Sequence, residues 1–227
     1  MELNGRLKKI AELAKNTTVL ADVGCDHGYI PIYCVQKGYC KRAIAMDVNQ
    51  GPLDRCTKNI VKYKLEGLIE TRLSDGIEKL SSGEADTIVI AGMGGLLIRD
   101  ILNTSLENIK PGTSFILQPM LAPFELKEYL YENCFLIENE YVVREDNKFY
   151  NIIKAKKADF KADYTYSDLL IGKNLKENSN DVFIDFIKYK ISVAQKIKKG
   201  LENSKNCDTA QLDNINKQLK VFNEVIN

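Results

Sequence analysis

A single histidine, His27, stands in 227 residues, so no multi-histidine metal site can be built from this chain alone. The six cysteines (25, 34, 40, 56, 134 and 207) contain no CxxC pair and no regular spacing. Most fall in periodic apolar segments, where a thiol behaves as a small hydrophobe, and neither a disulfide framework nor a zinc site is expected. No window approaches the ~20 uninterrupted apolar residues that a membrane span needs. The opening MELNGRLKKIAELAKN lacks the apolar stretch and small-residue cleavage site of a secretion signal, and a cytoplasmic location is expected. An excess of charge of one sign is also missing, since 32 Lys and Arg face 31 Asp and Glu for a net charge of +1. That balance hides an asymmetry: residues 1–150 carry 18 Lys and Arg against 21 Asp and Glu, and residues 151–227 carry 14 against 10. The basic carboxy-terminal part fits a solvated helical surface or a phosphate-binding one.

What the chain does contain is a regular alternation. Apolar periodicity gives a helix at 3–15, a strand at 18–23, a helix at 29–38, a strand at 42–48, a helix at 51–65, a strand near 69–74, a short helix, and a strand at 86–91. A helix at 95–103, a strand at 113–119 and a helix at 123–133 continue the series, which is the pattern of a parallel, doubly wound α/β sheet. The pattern then breaks. FLIENEYVVRE (135–145) and KFYNIIKAK (148–156) are extended runs joined by Asp146-Asn147 alone, too short for a crossover, so they form an antiparallel hairpin after five parallel strands. Such a hairpin is characteristic of class I methyltransferase sheets and is absent from the all-parallel dinucleotide fold.

Beyond 157 no strand signal remains. Val182, Phe186, Tyr189, Val193, Ile197 and Leu201 step by three or four, and Leu212, Ile215, Leu219, Phe222 and Ile226 form a heptad seam. ENSKN (202–206) reads as the turn of an antiparallel helical coiled-coil hairpin, which would lean on the main domain through 164–178. The expected organisation is a Rossmann-like domain over 1–157 and a helical domain over 158–227.

Four stretches lie where a nucleotide-like ligand would meet successive strand ends: ADVGCDHGYIP (21–31), AMDVN (45–49), LSDG (73–76) and IAGMGG (90–95). They place Asp22, Asp47 and Asp75 at the carboxyl edge of the sheet, where open α/β sheets bind ligands. Gly24 and Gly28 allow close backbone approach, and the helix starting at Tyr29-Ile30-Pro31 offers its amino terminus. Asp47 can accept hydrogen bonds from both ribose hydroxyls, and Asp75 from an exocyclic amine with Gly76 leaving space beside it. Each aspartate alone would also suit a helix cap or a turn.

DVGCDHGYIP, MDVNQGPL, LSDG, AGMGG and LQPM together resemble the motif series of the bacterial tRNA adenine-N1 methyltransferases that modify position 22, and the likeness spans roughly the whole chain. The resemblance implies S-adenosylmethionine as methyl donor and a coiled-coil tail that helps to hold tRNA. It also implies a cofactor site lined by Asp22, Gly24, Cys25, His27, Asp47, Val48, Asp75, Gly76, Ala91, Gly92 and Met93.

Methyl transfer to a ring nitrogen agrees with the residues that are missing. Adenine N1 carries an in-plane lone pair and no hydrogen, so it attacks a sulfonium methyl without prior deprotonation. The protein has to position the two atoms and exclude water. The product is cationic, and Asp26 or Asp22 is the candidate acceptor beside it. N1 lies on the Watson-Crick edge, so the target base must leave its stack, and Tyr29 and the loop Gln118-Pro119-Met120 are candidate stacking partners. His27 reads as a cofactor or loop contact, and Cys25 lacks the partnering base of a nucleophile. Arg6, Lys8, Lys9, Lys188, Lys190, Lys196, Lys198 and Lys199 are candidate phosphate contacts, with the active site as the other destination for Arg6. Two further functions stay open at this level, a methyltransferase with another acceptor and a non-catalytic nucleic-acid adaptor. An NAD-dependent oxidoreductase disagrees with the glycine pattern and the hairpin.

Overall fold

The computed structural model describes residues 1–3, 5–173, 175, 180–204 and 208–226. Two compact units emerge, Met1–Asp163 and Tyr164–Asn227. The first opens with α1 (Gly5–Leu13), β1 (Thr17–Val23), α2 (Tyr29–Gln36), β2 (Cys40–Asp47), α3 (Gln50–Lys62) and β3 (Ile69–Leu73). It continues with β4 (Thr87–Met93), α4 (Gly95–Thr104), β5 (Ser114–Pro119), α5 (Pro123–Glu132), β6 (Phe135–Glu145) and β7 (Lys148–Lys157).

The seven strands form one sheet in the order β3-β2-β1-β4-β5-β7-β6. β1 to β5 run parallel, and β7 pairs antiparallel with both β5 and β6. At the hairpin tip Asp146 and Asn147 take φ of 48° and 60°, the left-handed pair that matches the twist of two tightly joined strands. The central strands are apolar runs because both faces are covered: Val89, Ile90, Ile116 and Leu117 are fully buried. The chain steps outward from β1 through β2 to β3 and then returns to place β4 on the other side of β1. That reversal opens a crevice above the carboxyl ends of β1 and β4.

The short helix expected after β3 is a turn over residues 76–79. Ser74 competes locally for the backbone there: its Oγ donates to the Gly76 carbonyl at 3.1 Å and accepts from the Lys79 N–H at 3.2 Å. Arg72 then ties the segment down through the Lys79 carbonyl at 2.7 Å and both carboxylate oxygens of Glu84 at 2.9 Å. On the far side of the sheet a buried ion pair, Lys127–Glu140 at 3.0 Å, joins α5 to β6.

The second unit contains α6 (Tyr166–Leu170), α7 (Asp181–Glu202) and α8 (Thr209–Ile226), and α7 and α8 pack against each other. In α8 Ile215 and Phe222 are buried, and Leu212, Leu219 and Ile226 are half-buried, as the heptad spacing predicts. In α7 the expected seam is displaced. Tyr189 and Ile197 are 53% and 46% exposed, whereas Phe183, Phe186, Ile187, Ile191 and Ala194 are buried. Apolar residues occupy two overlapping registers of this helix, and the one carrying both phenylalanines is covered. Residues 205 and 206 of the expected turn, Cys207, and residues 174 and 176–178 of the expected docking segment lie outside the described residues. Among the described residues no helix is long and apolar enough to cross a membrane.

Candidate active site

Two clefts meet at Gly24, above the carboxyl ends of β1, β2 and β4. The first, about 350 Å³, is lined by Asp22, Gly24, Cys25 and Asp26, by His27, Tyr29 and Arg6, and by Ala91 and Gly92. The second, about 260 Å³, is lined by Asp47, Val48, Asp75, Gly76 and Met93. Together they have the volume of a small-molecule site. All three aspartates and both glycine-containing strand ends are therefore brought together. Gly28 sits just behind, as the left-handed cap of α2, with its N–H on the Cys25 carbonyl at 2.7 Å.

Short backbone links set this arrangement. The N–H groups of Gly24 and Cys25 both donate to the Met46 carbonyl, at 2.8 and 2.9 Å, which fastens the loop after β1 onto the end of β2. The Ser74 N–H donates to the Asp47 carbonyl at 2.9 Å and brings Asp75 alongside. Asp47 itself accepts the Asn49 N–H at 2.9 Å through Oδ1. In β4 the pairing register shifts between Ala91 and Met93, and Gly92 takes φ of 78°. This bulge is held by Gln118, whose Oε1 accepts from the Gly92 N–H at 3.1 Å and from the Arg6 guanidinium.

The electrostatics centre on Asp22. Burial, reinforced by the charge of Asp47, pushes its pKa up to about 8, so near neutrality it is mostly protonated. The Cys25 thiol is raised even further, first by its hydrogen bond with Cys56 and then by burial, and it is no nucleophile at physiological pH. Asp26 is half-exposed and its carboxylate is balanced by Arg55 at 2.6 Å, with His27 Nε2 at 3.5 Å. As a counter-charge for a cationic base Asp26 is therefore less suited than Asp22, because a cation 29 positions away in sequence folds onto it. Tyr29 is 41% exposed and stacks on His27, ring centres 5.1 Å apart and planes within 9°.

Gln118 and Pro119 call for a correction. Both lie in β5 and are buried, and Gln118 Nε2 donates to the Pro119 carbonyl at 3.0 Å. They buttress the site from below; of the three, only Met120, 48% exposed, emerges at the rim. Of the candidate phosphate contacts, Arg6 lines the first cleft and lies 5.2 Å from the Tyr150 ring centre, and Lys9 sits 4.0 Å over Tyr141. Lys8, Lys188, Lys196 and Lys199 are exposed. Lys190 lies over Phe186, and Lys198 is 3.8 Å from Glu202. Leu97 and Ile101 of α4 also line the second cleft. Their place in the helix that follows GMGG was the available signal. Nothing in the sequence pointed to Arg55. Among the described residues no cluster of His, Cys, Asp and Glu could hold a metal ion.

The family model for tRNA (adenine(22)-N(1))-methyltransferase matches residues 20–224. The chain belongs to the tRNA (adenine(22)-N(1))-methyltransferase family. The enzyme of that name from Bacillus subtilis strain 168 is 31% identical over 234 residues, covering 100% of this chain and 98% of its own length. The crystal structure of the B. subtilis M1A22 tRNA methyltransferase TrmK superposes with a TM-score of 0.90 at 30% identity, covering 100% of this chain and 99% of that one. TrmK of M. capricolum, solved with S-adenosyl-homocysteine, gives 0.85 at 30% identity with 100% of both chains covered. A putative tRNA (m1A22) methyltransferase of Streptococcus pneumoniae, solved with S-adenosyl-L-methionine, gives 0.84 at 30% identity over 98% of each chain. The TrmK family match thus runs through the Rossmann-like unit and the helical unit alike.

Proposed function

We propose that this chain methylates N1 of adenine 22 in tRNA, with S-adenosylmethionine as donor. The donor supplies a methyl group on a positively charged sulfonium. Asp47 accepts from the ribose hydroxyls, and Asp75, with Gly76, Val48 and Leu97, frames the adenine. Gly24, Cys25, His27 and Gly28 turn the loop around the methionine portion, Arg6 meets its carboxylate, and Ala91, Gly92 and Met93 form the rim between donor and target. Asp22 faces the cationic centres. It is protonated in the free protein and ionises as positive charge enters the cleft, which then offsets the charge that forms on the methylated adenine. Asp26 shapes the loop through Arg55, and Tyr29 offers a stacking face to the extruded base. No residue has to remove a proton from N1, so the site works by alignment and water exclusion. Lys8, Lys9 and the lysines of α7 contact tRNA phosphates, and the protein acts in the cytoplasm, where its substrate is.

The observation that carries this is the pair of clefts joined at Gly24, with a buried, protonatable aspartate in one and two further aspartates in the other. The test is incubation with labelled donor and total tRNA, followed by nucleoside mass analysis and mapping. One methyl group as 1-methyladenosine at position 22 is expected, and none when that adenine is replaced by guanine. Label absent from tRNA, or present at another position, would overturn the assignment.

A further inference from the structure

The turn between β5 and α5, residues 120–122, presents the most exposed large apolar side chain among the described residues, Leu121 at 73%. Met120 in the same turn and Leu96 in the first turn of α4, 48% and 44% exposed, are also open to solvent. Such a tip would ordinarily be mobile, but this one is fixed from both sides. The Met120 N–H donates to the Met93 carbonyl at 2.8 Å, and the Leu121 carbonyl accepts the Gly95 N–H at 2.8 Å. Gly95 has to be glycine because a Cβ there would lie 2.7 Å from the Leu121 carbonyl oxygen and closer still to that of Ala122. Ala122, which is not a glycine, is held left-handed at φ 53° and ψ 47°. The left-handed Ala122 starts α5, its carbonyl accepting the Leu126 N–H at 3.3 Å, but that turn does not require an apolar side chain in water, one hydrogen bond from the Met93 rim of the cleft.

A target adenine that must present N1 leaves a gap between its former stacking neighbours, and closing that gap without refilling it returns the base. Rigid apolar side chains inserted between base steps fill such gaps in other nucleic-acid complexes. We propose that Leu121 is a wedge that enters the tRNA stack at the place the adenine vacates, holding the base out while Met120 and Leu96 cover the flanking base faces. The wedge rests on the tRNA function proposed above and adds to it a residue that acts on the RNA's conformation, with no contact to the donor.

The test compares Leu121→Ala and Leu121→Met with wild type on two substrates: intact tRNA, and tRNA made abasic opposite the target so that the adenine is already loosened. Because Leu121 is exposed, the fold and the donor Kd should be unchanged. On intact tRNA Leu121→Ala should lose at least tenfold in kcat/KM, Leu121→Met should retain most activity, and on the loosened tRNA the alanine variant should fall within threefold of wild type. An equal loss on both substrates, or no loss on intact tRNA, overturns the wedge. Wild-type protein that methylates neither tRNA would instead overturn the function itself.

Discussion

On the proposed function, donor binding should be coupled to a proton at Asp22. With its pKa at about 8 in the free protein, the carboxyl is mostly protonated at pH 7, and a neighbouring sulfonium or ammonium favours the ionised form. Titration calorimetry at pH 7 in buffers of different ionisation enthalpy should therefore show close to one proton (~0.9) released per donor bound. Asp22→Asn should release none; an unchanged proton count would remove Asp22 from the donor site. The same shift sets a stability trend. This acid has its pKa raised from 3.8, so the folded state holds the proton more tightly, and stability falls as pH rises from about 4 to about 8 and then levels. At about 1.4 kcal/mol per unit the penalty is on the order of several kcal/mol, and Asp22→Asn should melt above wild type at pH 8.5, with the gap closing toward pH 5. The role proposed for Asp47 is different, a carboxylate accepting hydrogen bonds from the donor. Asp47→Ala should weaken donor binding by ~10–100-fold, the equivalent of about 1.5–3 kcal/mol, and higher donor concentration should restore turnover. Both aspartates were legible in sequence as sheet-edge residues because a turn residue follows each strand: Asp47 closes β2, and Asp22 is one residue short of the end of β1, which Gly24 follows. The Arg55 partner of Asp26 was not, because no local pattern encodes a contact between the loop after β1 and a side chain of α3.

At the scale of elements, the sheet was legible from alternation and the hairpin from the two-residue connection at Asp146-Asn147. The bulge at Gly92 was not, since IAGMGG reads equally well as an unbroken strand end. Its cause lies in the neighbouring strand: Gln118 on β5 accepts from the Gly92 N–H and from Arg6 of α1, so a single buried amide joins three elements below the cleft. Gln118→Leu keeps the volume but leaves the Gly92 N–H and the Arg6 guanidinium without that acceptor. A destabilisation of ~1–3 kcal/mol is expected in chemical unfolding. Donor affinity should fall as well, because the Gly92 edge is free to relax. A variant as stable as wild type with intact donor affinity would show that the bulge is held by other contacts. The displaced seam of α7 has the opposite origin, too much apolar signal: with phenylalanine, isoleucine and valine on several faces, spacing alone cannot choose between registers.

At the scale of the molecule, the charge asymmetry between the two parts of the chain becomes a statement about salt. Lys188, Lys196 and Lys199 are exposed on α7, on a helix whose buried face is set by Phe183, Ile187 and Ile191. Lysines so placed often do no more than keep a surface solvated. If they bind phosphate, each contact releases counterions, and the logarithm of tRNA affinity falls with the logarithm of salt in proportion to the number of contacts. Replacing Lys196, Lys198 and Lys199 together by glutamate should weaken tRNA binding and flatten that slope by about 1.5, given ~0.7–0.9 per contact. The figure is nearer two contacts than three because Lys198 already faces Glu202 at 3.8 Å. Donor affinity, which the proposed function assigns to the clefts of the Rossmann-like unit, should not change. The slope is the discriminating quantity: a variant that loses affinity with the slope intact has lost folded structure, and one that keeps both returns α7 to the role of a solvated surface.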